Sequence, residues 1–179
     1  MEYGYSCMGY EIAGGLGVKL AQPEHEVVVI VGDGSYLMMN SELATSVMLG
    51  KKLVVVVLDN RGFGCINRLQ QACGTPPFNN LLQDCLQDAA GPPQIDFALH
   101  ARSLGCLSEH PRSIAELDQA LVRARAADRT TVIVIDTDPH QTTEDGGAWW
   151  EVGVPEVSER EAVRMARSAY QEAKKTQRV

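Results

Sequence analysis

Gly32-Asp33-Gly34 and, after twenty-four intervening residues, Asp59-Asn60 with Gly62 beyond are the residues whose types and spacing could do chemistry. A carboxylate, a side-chain amide carbonyl and a nearby backbone carbonyl are hard oxygen donors that suit Mg2+ or Ca2+. Mg2+ usually takes one or two protein carboxylates, with phosphate oxygens and waters completing its octahedron. Glycines beside the acid let phosphates approach the backbone, and the start of a following helix favours their charge. The residues point to a metal-bridged diphosphate site. A bare Gly-Asp-Gly, however, more often only ends a strand with an acidic turn.

The elements that must position these residues are legible around them. Val27 to Val31 is a run of β-branched residues that stops at Gly32, and Leu53 to Leu58 is a second such run that stops at Asp59-Asn60. Between them Asn40 to Met48 carries a helical pattern, with Asn40 or Ser41 able to cap it and Glu42 as a first-turn acid. Strand, helix and strand make a parallel crossover, which puts the carboxyl ends of both strands at one sheet edge, so Asp33 and Asn60 can meet.

The rest of the chain extends this unit. Tyr10 to Ala21 reads as a helix with Ile12, Ala13, Leu16 and Leu20 on one face. Gly14, Gly15 and Gly17 lie inside it, which implies close approach to a backbone or a ligand. A Rossmann phosphate loop is rejected because its glycines follow a strand, whereas these precede one. Cys65 to Gln70 reads as a short helix, followed by a turn-rich loop from Gly74 to Asn80. Asn67, Arg68, Gln70, Asn79 and Asn80 there could bind a polyhydroxylated substrate or simply form a solvated polar loop.

Asp96 caps a helix that ends at Gly105, and Ser113 to Glu116 has the form of a capping box. Thr131 to Asp136 is a last buried strand. His100 and His110 are at no metal-ligand spacing and read as ordinary surface residues. The alternation predicts an α/β fold, a mostly parallel sheet with helices on both faces, spanning residues 1–140. Residues 141–179 read as a tail with a terminal helix, anchored by Trp149 and Trp150 on the domain or a partner subunit.

Composition bounds the function classes. With 179 residues, 45% apolar and 22% charged, the chain suits one well-packed domain plus a tail. A net charge of -7 without a basic stripe argues against nucleic acid as a partner. The five cysteines form no CxxC pair, which favours reduced thiols over a disulfide framework or zinc. No apolar run approaches the roughly 18 residues of a membrane span, and the expectation is a cytoplasmic protein with no membrane partner.

The spacing from Gly32-Asp33-Gly34 to Asp59-Asn60 resembles the thiamin diphosphate signature of the acetohydroxyacid synthase and pyruvate decarboxylase superfamily. The resemblance implies Mg2+ held by Asp33, Asn60 and the carbonyl of Gly62, and thiamin diphosphate contacted by Met8, Gly32, Asp33, Gly34, Ser35, Met38, Asn60 and Gly62. It places the backbone near Met8 on the aminopyrimidine, with Ser6 where glycine is common. Met38 becomes the apolar wedge that bends the cofactor, where its residue type alone reads equally as core packing. Asp59 departs from the usual asparagine.

A second set of residues narrows the resemblance. Gly146 to Val152 with Val157-Ser158, the Cys65 to Gln70 segment and the Gly74 to Asn80 loop resemble the trihydroxycyclohexanedione hydrolases of myo-inositol catabolism. Such a family implies hydrolytic ring opening of a polyol-derived cyclic 1,2-diketone to 5-deoxyglucuronate, in a homodimer or homotetramer. It also implies an activating glutamate from a separate domain, so the chain is expected to be the C-terminal cofactor domain of a longer polypeptide and to turn over nothing alone. An acetolactate-synthase-like carboligase, a 2-oxoacid decarboxylase and, from another class, a non-catalytic assembly module remain the alternatives.

Overall fold

The computed structural model describes residues 7–85, 91–92, 94–141 and 152–176, so the expectations placed on Ser6, Trp149 and Trp150 lie outside the described residues. The chain forms two compact units, Met1–Gly62 with Pro93–Asp138 and Phe63–Pro92 with Pro139–Val179.

The first unit carries the sheet. Its strands are β1 (Val28–Gly32), β2 (Val54–Asp59), β3 (Leu107–Glu109) and β4 (Thr131–Asp136), all parallel, in the order β1-β2-β4-β3. The central β2 and β4 have four consecutive buried residues each, the continuous apolar run of a strand covered on both faces. On one face Val29, Val31, Val55, Val57, Val132 and Val134 pack against four helices: α1 (Tyr10–Ala21), α2 (Asp33–Met38), α3 (Ser41–Met48) and α5 (Phe97–Ser103). They contribute Ile12 and Leu16, Tyr36, Leu43, and Phe97, Ala98 and Ala101. On the other face Val54 and Ile133 meet Ala120 and Ala124 of α6 (Ile114–Ala126). The α/β architecture with helices on both faces is therefore the one the alternation predicts.

Two elements differ from the sequence reading. The turn expected at Gly32-Asp33-Gly34 is a strand-to-helix junction: Gly32 stays extended at φ -74 and ψ 154, and Asp33 opens a six-residue helix, α2 (Asp33–Met38). Leu107-Ser108-Glu109 pairs with β4 from Thr131 to Ile133, although three residues without an apolar run leave no strand signal. Among the caps, Asp96 accepts from the Leu99 N–H at 2.7 Å and Ser113 from the Glu116 N–H at 3.2 Å. Glu116 reaches back to the Arg112 N–H at 2.7 Å, one residue beyond the capping-box position. Asn40 donates to the Leu37 carbonyl at 3.2 Å instead of capping α3 with its side chain.

The second unit contains α4 (Gly64–Ala72), a 3-10 turn at Leu82–Cys85 and α7 (Glu161–Lys174). Gly74, at φ +83, backs onto the start of α7 so closely that a Cβ would lie 2.4 Å from the Ala162 carbonyl oxygen. Val163 is buried, and Arg167 of α7 donates to the Val154 carbonyl at 2.8 Å.

The three glycines inside α1 are not equivalent. A Cβ at Gly15 would come 2.3 Å from Cγ2 of the buried Val29, whereas at Gly17 it would meet nothing within 4 Å. Gly15 thus supplies a close approach of α1 to β1, and Gly17 supplies none. Gly17→Ala should gain helix propensity and stabilise by about 0.5–1 kcal/mol. Gly15→Ala should destabilise by about 1–2 kcal/mol, because a rigid core valine must shift. Urea melts of the two variants against wild type check the opposite signs.

Candidate functional site

The register sets the site. Gly32 of β1 pairs with Leu58 of β2, so Asp33 and Asp59-Asn60 emerge beside each other at the carboxyl edge. Asp33 is 3% exposed, and one carboxylate oxygen accepts the Gly62 N–H at 2.7 Å. Backbone N–H groups of Asn60 and Gly34 donate to the same side chain. Burial raises its pKa, the three backbone donors pull it down, and the neighbouring Asp59 carboxylate pushes it up again; the net direction is above the ordinary carboxylate value.

The chain after β2 is shaped to make this contact. Asp59, itself buried, accepts the Arg61 N–H at 3.0 Å and closes an Asx-type turn. Arg61 is held at φ 62 and Gly62 at φ 146. A non-glycine residue in the left-handed region costs about 1 kcal/mol or more, and strain of this kind is retained where the surrounding structure fixes it. Here it returns the Gly62 N–H to the Asp33 carboxylate, so strand ends joined by a long crossover meet within one hydrogen bond.

These residues suit a hard cation. Two buried carboxylates converge at one edge, Asn60 adds a side-chain amide and Gly62 a backbone carbonyl, and oxygen donors of this type match Mg2+ rather than a soft metal. Added positive charge would offset the cost that burial imposes on ionised Asp33. A Cβ on Gly32 would meet nothing within 4 Å, which leaves the backbone open to an approaching group. Gly34 and Ser35 are buried in the first turn of α2.

The other two sequence-predicted residues lie close by in the fold. Met38 ends α2 and is 53% exposed, so its surroundings are not those of a core side chain. Gly9, at φ +88, lies against it so closely that a Cβ would fall 2.9 Å from the Met38 Cβ. The loop carrying Met8, itself partly exposed, is thereby placed beside Met38. The resemblance points to the backbone around the Met8-Gly9 pair; the left-handed conformation of Gly9 and its close approach to Met38 are what the structure adds.

His100 requires a correction. It is half-buried, not an ordinary surface residue, and its Nδ1 lies 2.9 Å from the hydroxyl of the fully buried Tyr36. His110 also has a partner, Asp136 at 3.1 Å. In the polar loop, Gln70 donates to the Pro76 carbonyl at 3.0 Å and accepts from Asn80, so both amides brace the loop. Asn67 is buried in α4 and its Oδ1 has no partner among the described residues. Among those residues no helix is long and apolar enough to cross a membrane.

Comparison with known proteins places the chain in a family. Residues 1–135 match the model for the C-terminal TPP binding domain of thiamine pyrophosphate enzymes. The chain belongs to that family. Its similarity to the 3D-(3,5/4)-trihydroxycyclohexane-1,2-dione hydrolase of Geobacillus thermodenitrificans is 46% identity over 173 residues, covering 93% of this chain and 27% of the relative. The protein of the same name from Bacillus cereus (strain AH820) is 45% identical over 170 residues, covering 93% and 26%. The chain thus spans about a quarter of the length of these relatives. Among solved structures, the Rhodococcus jostii RHA1 thiamine diphosphate-dependent 4-hydroxybenzoylformate decarboxylase superposes with a TM-score of 0.60 at 23% identity, over 73% of this chain and 23% of that one. That likeness supports the α/β fold of this thiamine pyrophosphate family member.

The raised pKa of Asp33 has a definite sign in stability. The folded state holds the proton more tightly than the unfolded chain, whose ordinary value is 3.8. The resulting stability is fully present below that value and is lost as pH rises through the raised folded pKa. Asp33→Asn removes the titration. In cation-free buffer its stability should fall less steeply than wild type above about pH 4, and near pH 7 it should melt at the higher temperature. Parallel curves for the two proteins across that range would contradict the assignment.

Proposed function

We propose that the chain binds thiamin diphosphate through Mg2+ and forms the cofactor-bearing part of an enzyme that hydrolyses a ring carbon-carbon bond of trihydroxycyclohexane-1,2-dione, giving 5-deoxyglucuronate. The observation that carries the metal site is the buried Asp33 carboxylate, oriented by the Gly62 N–H at 2.7 Å beside Asp59. The hydrolase assignment is supported by family membership together with the names of relatives about 45% identical over nearly the whole chain.

In this reading Asp33, the Asn60 side-chain oxygen and the Gly62 carbonyl hold Mg2+. Gly32, Gly34 and Ser35 admit the diphosphate to the backbone. The Met8 loop would contact the aminopyrimidine and Met38 would pack against the cofactor, so that geometry fixed in advance would replace a search. Bound thiamin diphosphate supplies the electron sink for carbon-carbon cleavage. The chain's own contribution is to orient that cofactor, with its exposed methionine aimed away from the core. The full-length protein acts as a homodimer or homotetramer, in which a second domain contributes the activating glutamate.

Calorimetry with thiamin diphosphate and Mg2+ tests the site. Asp33→Ala and Asn60→Ala should each weaken binding at least about tenfold, or about 1.4 kcal/mol, and EDTA should abolish it in wild type. Unchanged affinity in both variants would remove the metal assignment. The full-length protein, offered the cyclic diketone or pyruvate, should consume the diketone; turnover of pyruvate alone would assign a carboligase or decarboxylase instead.

A further inference from the structure

Tyr36 is the one aromatic residue of α2, and it is fully buried. The helix has only six residues, no side-chain cap at Gly32 and no helical continuation at Met39. A helix of that length is far too short to hold itself in water, so contacts made elsewhere must set its pose. Asp33 occupies its first position and Met38 its last. Any rotation or slide of α2 therefore moves both residues together.

The helix rests on β1, β2 and α1, and the directional side-chain contact from its interior is to α5. The Tyr36 hydroxyl lies 2.9 Å from Nδ1 of His100. Its ring meets Phe97 edge-on, with centroids 5.4 Å apart at 86°, and His100 with centroids 5.7 Å apart at 76°. Edge-to-face pairs add directional preference to apolar burial, and the hydroxyl fixes the ring's direction. Burial also raises the Tyr36 pKa well above the ordinary tyrosine value, which keeps the hydroxyl protonated and able to donate. His100 is in turn set by α5, whose first turn is capped by Asp96 accepting the Leu99 N–H at 2.7 Å.

We propose that Tyr36 and His100 form a positioning pair, whose hydrogen bond locks α2 to α5 in the pose that presents Asp33 at one end and Met38 at the other to the cofactor. The link to the cofactor rests on the functional reading above. Neither residue touches the cofactor in this account; both act through the helix. A phenylalanine would fill the buried space equally well, so the hydroxyl is there for direction.

Hydrogen exchange and cofactor affinity, measured on Tyr36→Phe, His100→Leu, His100→Asn and the Tyr36→Phe/His100→Leu double variant, test the pair. In the cofactor-free chain the first two variants should exchange amides 33–38 about tenfold faster, with β2 and β4 unchanged. His100→Asn places an acceptor oxygen near the Nδ1 position and should restore protection. Thiamin diphosphate with Mg2+ should bind about fivefold more weakly to the two disruptive single variants, while the double variant is no worse than the weaker of them, as for residues acting as one unit. Unchanged exchange over α2, or a rise spread evenly over the sheet, would overturn the pair. Faster α2 exchange with unaltered affinity would overturn its link to the cofactor. Failure of wild type itself to bind would count against the functional reading, and the exchange data would still decide whether the pair holds the helix.

Discussion

The hydrogen bond from the Gly62 N–H to the Asp33 carboxylate is the constraint on which the rest of the first unit depends. It joins the residue after β1 to the loop after β2 across a full crossover, and both its partners are costly to hold. Asp33 is a buried acid beside a second buried acid, and the loop reaches it through left-handed Arg61 and Gly62. A fold selected for stability alone has no reason to gather these features at one strand edge. They become favourable together when positive charge is added there, which is how metal and phosphate sites reconcile buried carboxylates with a stable domain.

The sheet is what makes so expensive an edge tolerable. β2 and β4 are buried on both faces, and each fully buried valine contributes about 1.5–3 kcal/mol relative to exposure. That reserve is local to the strands that end at the site. The close packing of α1 through Gly15 onto Val29, and of Gly9 onto Met38, ties the first helix to the same corner. The rigid part of the structure and the strained part are therefore adjacent, an arrangement that keeps donors fixed before any ligand arrives.

Much of this was legible in the sequence because the decisive signals are local. The valine runs state their own strands, and the spacing between Gly34 and Asp59 is what one crossover requires. The long-range content was not legible. Tyr36 and His100 are separated by 64 positions, and nothing in either neighbourhood announces the other. β3 exists because β4 offers it a backbone partner, a property of β4 that the segment Leu-Ser-Glu cannot express. The glycines of α1 show the same boundary: one glycine's composition looks like the next, and only the neighbour across the interface separates Gly15 from Gly17.

In the proposed function one cation is held jointly by the ends of β1 and β2. Anomalous diffraction from crystals of the protein grown with thiamin diphosphate and Mn2+ in place of Mg2+ addresses it most directly. The predicted result is a single strong peak at about 2.1–2.2 Å from an Asp33 carboxylate oxygen, the Asn60 side-chain oxygen and the Gly62 carbonyl oxygen, with diphosphate oxygens completing the shell. A peak elsewhere, or cofactor bound with no metal at Asp33, would contradict it.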